Sequence, residues 1–130
     1  MSRLLAAALL NQPAIIAIVG NRIALKQLKA GTALPALVYT VVDVNPTAYV
    51  NEAGYETMRL QINPLAETAE RVQQIHDAAQ AALDGLHGAE LAGCRVIAVR
   101  RDTAGPEDIT DADNGHAVWT WPRDYIVIYE

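Results

Sequence analysis

The residues best able to do chemistry in this chain are its acidic cluster at Asp102, Glu107, Asp108, Asp111 and Asp113, its three histidines and its single cysteine. Asp111-Ala112-Asp113-Asn114-Gly115 looks like a calcium loop, but with Gly115 at the sixth position the first, third and twelfth fall on Thr110, Ala112 and Trp121. A calcium loop needs oxygen ligands at the first and third of these and a bidentate glutamate at the twelfth, so a solvated acidic turn is the better reading. His76, His87 and His116 have no metal-ligand spacing, and Cys94 stands alone without a second cysteine. At the start of an apolar strand Cys94 reads as a buried, inert thiol. Gly85-Leu86-His87-Gly88 matches a bare GxxG clamp, yet no lysine or arginine flanks it, and the end of a helix explains it better. There is no phosphate-binding glycine loop and no nucleophile elbow. The acidic residues come from one loop with no companion base or oxyanion donor. We therefore expect no catalytic residues, no metal and no cofactor: a protein that is not an enzyme.

The elements that carry these residues read clearly in the middle of the chain. In Tyr55 to Ile62, Met58, Leu60 and Ile62 fall on one face and Tyr55, Thr57, Arg59 and Gln61 on the other, the period of a half-buried strand. Asn63 is placed to cap a helix with Pro64 at its first position. Leu65, Ala69, Val72, Ile75, Ala79, Ala82 or Leu83, and Leu86 then recur at helical spacing, and Gly85 ends the run. Ala36 to Val44 and Cys94 to Arg100 read as strands, Arg22 to Leu25 as a short edge strand, and Ala117 to Tyr129 as a last strand bent at Pro122. Asn45 to Gly54 supplies a hairpin tip, and Asp102 to His116 a long loop. Ser2 to Leu10 makes a first helix, and Pro13 opens a second. The expected fold is α+β: a mostly antiparallel sheet of four to five strands, one long helix packed on one face, and a short N-terminal helical region.

At 130 residues the chain suits one domain, spanning 1–130. With 52% hydrophobic residues and no phenylalanine, the core must be aliphatic. The net charge of −5 is uneven, since Arg3, Arg22, Lys26 and Lys29 face only Asp43 before residue 50. Opposite signs on the two halves read first as a soluble surface and can also orient head-to-tail contacts between copies, and no basic stripe interleaved with aromatics points to nucleic acid. The apolar run Leu4 to Leu10 is too short to span a membrane and is broken by Asn11-Gln12-Pro13, so a first helix is expected there instead of an export signal.

The order of these elements resembles the tail-completion or tail-terminator family of long-tailed bacteriophages and prophages. The residues that carry the resemblance are Pro13-Ala14 leading to Val19-Gly20-Asn21-Arg22-Ile23, then Leu34-Pro35-Ala36-Leu37-Val38-Tyr39 and Arg59-Leu60-Gln61-Ile62-Asn63. The helix with Ala66-Glu67, Ala69-Glu70 and Ala82-Leu83 and the ending Arg123-Asp124-Tyr125-Ile126-Val127-Ile128-Tyr129 complete it. The resemblance implies a structural subunit that forms a homo-oligomeric, commonly hexameric ring at the head-proximal end of the tail tube. Such a ring ends tube growth and joins the tail to the head. Its implied partners are further copies of itself, the tail tube protein and the head-tail connector protein, with DNA passing through and not specifically bound, and with no membrane. The implied location is the virion tail, after assembly in the host cytoplasm. The residues expected at subunit contacts are Tyr55, Thr57, Arg59 and Gln61 on one strand face and Trp119, Trp121 and Tyr125 on the last strand. The alternative is a small ligand-binding or enzymatic α+β domain with a pocket near Trp119 and Trp121.

Overall fold

The computed structural model describes residues 2–29, 31–44, 55–104, 108–111 and 117–130. The elements run α1 (Ser2–Leu10), α2 (Pro13–Val19), β1 (Ile23–Leu25), β2 (Ala36–Val44), β3 (Glu56–Ala66), α3 (Ala69–Leu83), β4 (Glu90–Leu91), β5 (Cys94–Ala104), β6 (Asp108–Asp111), β7 (Ala117–Thr120) and β8 (Arg123–Tyr129). The fold is α+β, but among the described residues the sheet has eight strands, not four to five, in the order β1-β2-β3-β8-β5-β4 with β7 beside β3 and β6 beside β7. β1 is parallel to β2, and every other pairing is antiparallel. The added strands come from β4, from β6 inside the stretch expected to be a loop, and from the split of the last strand at Trp121-Pro122.

β3 organises the sheet. Its burial alternates strictly, with Met58, Leu60, Ile62, Pro64 and Ala66 buried and the residues between them partly exposed. Leu37 and Tyr39 of β2 and Tyr125, Val127 and Tyr129 of β8 join the same dry face. Leu5, Leu9, Ile15 and Val19 of the two short helices and Ile75, Ala79 and Leu83 of α3 close over it as one cluster. Cys94, at the start of β5, is buried.

The expected helix start at Asn63-Pro64 is wrong. β3 continues through both residues, with Asn63 opposite Val38 and Pro64 opposite Leu37, and α3 begins at Ala69. The cap is Thr68, whose hydroxyl accepts the Arg71 amide at 3.2 Å, while the Asn63 side chain instead donates to Gln61 Oε1 at 3.2 Å. The sheet pairing outweighs the local preference, and proline on a strand loses only the ladder bond its missing N–H would have made. α3 ends as expected: Asp84 closes it and Gly85 follows at φ +82°, a left-handed turn that suits glycine. The expected hairpin tip at 45–54 lies outside the described residues.

Thr68→Ala should lower stability by about 1 kcal/mol by removing the cap, whereas Asn63→Ala should change it by less than about 0.5 kcal/mol. Urea denaturation of the two variants distinguishes this helix start from one at Asn63.

Candidate functional site

The three helices pack on one face of the sheet, and among the described residues the other face carries β-strand side chains alone. Register places that open face: Arg59 on β3 is level with Val42 on β2 and Ile126 on β8, and Ile126 is level with Arg100 on β5. Thr57 and Gln61 flank Arg59 on this face, Ile128 and Asp124 flank Ile126, and Val42 is half exposed. The face is therefore a mixed surface of small, polar and aliphatic side chains, with charge at its centre.

That charge is a three-strand ion cluster. Arg59 Nη1 donates to Asp102 Oδ2 on β5 at 2.6 Å and to Asp124 Oδ2 on β8 at 2.9 Å. The two carboxylates, Asp102 first, push the Arg59 guanidinium pKa upward, so the cation is fixed. Arg59 and Asp102 are well exposed, so solvent screens their pair and it adds little to stability. Its greater effect is geometric, since one guanidinium orients side chains of three neighbouring strands.

On the helix-covered face a second polar group is hidden. His76 on α3 is fully buried and stacks on Trp121, with ring centroids 5.6 Å apart and planes 26° apart. Its Nε2 lies 2.9 Å from the Trp121 carbonyl oxygen. A carbonyl only accepts, so Nε2 carries the proton and Nδ1 is left as an acceptor. Nδ1 meets no partner among the described residues. Burial first, and the neighbouring Arg123 charge as a smaller cause, depress the His76 pKa to about 4. One turn on, Gln80 Oε1 accepts from Arg101 at 2.9 Å, and Asp84 Oδ1 accepts the Arg101 backbone amide at 3.1 Å. These contacts tie the end of α3 to β5. Burial raises the pKa of the Tyr125 hydroxyl, against an opposing pull from Arg123.

The expected contact residues therefore separate into two groups. Thr57, Arg59 and Gln61 share the open face, and Tyr55 precedes their strand. Trp119, Trp121 and Tyr125 face the helices instead. Trp119 and Trp121 pack with Ala66, Ala69 and Val72, and Tyr125 is 0% exposed and has no surface to offer a neighbour. Grooves lined by Ala7, Ile16 and Tyr39, by Leu34, Pro35 and Arg71, and by Asp77, Gln80 and Asp84 include neither tryptophan. Asp102 and Asp124 were not legible as partners of Arg59. The signal for Asp124 was its alternation with buried Tyr125, which becomes useful only once the register with β3 is known. Among the described residues no group of three histidine, cysteine or acidic side chains could hold a metal, and no helix is long and apolar enough to cross a membrane.

The class this arrangement defines is a two-layer α+β domain, one helical layer on one sheet. The chain belongs to the tail completion protein gp17 family, whose sequence model matches residues 3–121. It is thus a structural protein of phage tails. A solved chain in the virion of a native gene transfer agent particle has the same fold, with a TM-score of 0.59, 12% identity, and coverage of 99% of this chain and 97% of that one. A second solved structure, at TM-score 0.56 and 16% identity, covers 98% of this chain and 95% of its own. No curated protein matches the sequence.

For His76, folding lowers the pKa, so the unfolded chain takes up a proton first and stability is lost as pH falls from about 6.5 toward 4. Between pH 7.5 and 5 the wild type should lose about 2 kcal/mol from this group. His76→Gln, measured by urea denaturation at both pH values, should remove most of that loss.

Proposed function

We propose that the protein forms a ring at the head-proximal end of the tail tube, ends tube growth there and joins the tail to the head connector. The observation that carries this reading is that, among the described residues, the helices cover only one face of the sheet. A building block of this kind has a rigid helical side and a second side of Thr57, Arg59, Gln61, Val42 and Ile126, which is polar enough to stay soluble and apolar enough to pack. We assign this open face to contacts within the assembly, with further copies, the tube protein or the connector. Family membership supplies the tail context. The ring, its copy number and its partners belong to this proposal. So does the absence of catalysis, for which the structural character of the family is the support. On this reading the protein is a component of the virion, and DNA passes through the ring without being specifically bound.

Electron microscopy of the chain mixed with tail tubes tests the proposal. Rings of identical subunits at one tube end are expected, and tubes of unaltered length with no added density would defeat it. The double variant Thr57→Arg with Gln61→Arg keeps Arg59, Asp102 and Asp124 themselves and loads the open face with charge and bulk. It should keep the monomer's stability within about 1 kcal/mol and abolish decoration of tube ends in the same micrographs.

A further inference from the structure

Besides β4, which ends the main strand order, two strands, β1 and β6, pair on one side only among the described residues; the sequences around them carry opposite charge, and they run in opposite directions. On the β5 side the chain after α3 protects its own edge. Gly85 N donates to Val99 O at 2.8 Å, Gly88 N to Val96 O at 2.7 Å and Val96 N to Ala89 O at 2.7 Å. The next amide along, that of Arg101, is taken by the Asp84 carboxylate. β1 has no such cover among the described residues. Arg22 O accepts from Leu37 N and Lys26 N donates to Tyr39 O, each at 2.8 Å, so the even-numbered peptide groups face β2. The backbone N–H groups of Ile23 and Leu25 then point away from the sheet. β6 pairs with β7 on one side and with no strand on the other among the described residues.

The edges also match in charge and in place. β1 is bracketed by Arg22, Lys26 and Lys29, with no acidic residue before Asp43, whereas β6 reads Asp108-Ile109-Thr110-Asp111 after Glu107. Ile23 is level with Pro64 through Leu37, and Asp108 is level with Leu65 through Thr120, so the two edges stand at adjacent rungs of β3. β1 runs with β2, opposite to β3, while β6 runs with β3. A rotation about an axis along the strands therefore brings β1 of one copy against β6 of the next in the antiparallel sense.

We propose that neighbouring copies in the ring join through β1 of one and β6 of the next, continuing the sheet across the subunit boundary. This rests on the ring reading and names the surfaces that make it. The contact is heterologous, so it propagates head to tail and closes where the rotation closes. Backbone pairing of two edges is an established mode of recognition between chains, and the charges fix which edge meets which.

The test is native mass spectrometry of assembly, with and without tail tubes, combined with amide hydrogen exchange. Lys26→Glu with Lys29→Glu, and separately Asp108→Lys with Asp111→Lys, should each weaken assembly about tenfold or more, and mixing the two variants should restore it. Circular dichroism of each variant reports on its folding. Wild-type exchange needs no variant: the Ile23 and Leu25 amides should slow on assembly. Assembly with those two amides unchanged would overturn the edge pairing alone and leave the ring standing. Absence of any assembly, alone or on tubes, would overturn both.

Discussion

Five inward side chains spaced by two along β3, from Met58 to Ala66, decide which face of this sheet is dry. Because the period is two, a slip of one residue against β2 or β8 would turn Arg59 and Gln61 into the core and Leu60 and Ile62 out of it. The cost of burying an unpaired guanidinium makes that register prohibitive. β3 also has a partner on each side over nearly its whole length, β2 on one and β8 continued by β7 on the other. A single strand thus sets the orientation of three others, and the helices can cover only the side it makes apolar. The ion cluster of Arg59, Asp102 and Asp124 is the reciprocal of this rule, since it can exist only on the side that remains wet.

The prolines show how firmly that register is set. Pro122 interrupts the last strand, yet Ile62 meets Arg123 before the break and Leu65 meets Thr120 after it, so the pairing resumes with no residue gained or lost. The gap falls opposite Asn63 and Pro64. Two residues without an amide hydrogen therefore share one local interruption, and the bonds they cannot make are lost in one place. Trp121, at that break, turns into the helix layer and stacks on His76. The interruption is where the chain fits its largest side chain beneath the start of α3.

The alternating and helical periods were legible because they depend on neighbours in sequence. The face assignment of β3, the length of β2, the opening of α2 at Pro13 and the stop at Gly85 all came from such spacing. The start of α3 was misread because Asn63-Pro64 carries a sound local signal that a longer-range pairing overrides. The partners of Arg59 were illegible for a related reason: they lie 43 and 65 residues away and are fixed by register alone. His76 was hidden differently. It follows Ile75 on the buried stripe, and a histidine at that spacing looks like a polar flank until the Trp121 carbonyl is found within reach.

An open strand edge is ordinarily a hazard, and charge is one way in which proteins guard it. The distribution here is more specific than a general guard. β1 is flanked only by cations and β6 lies in an acidic stretch, so a β1 edge meeting another β1, or a β6 meeting another β6, would set like charges against each other. Both twofold pairings are thereby disfavoured, and each would give a closed dimer that removes subunits from any larger assembly. Between these two edges the remaining combination is heterologous. The charges thus disfavour like-edge pairing and favour the heterologous contact that the proposed ring requires, a form of selection that acts by penalising the wrong partners more than by rewarding the right one.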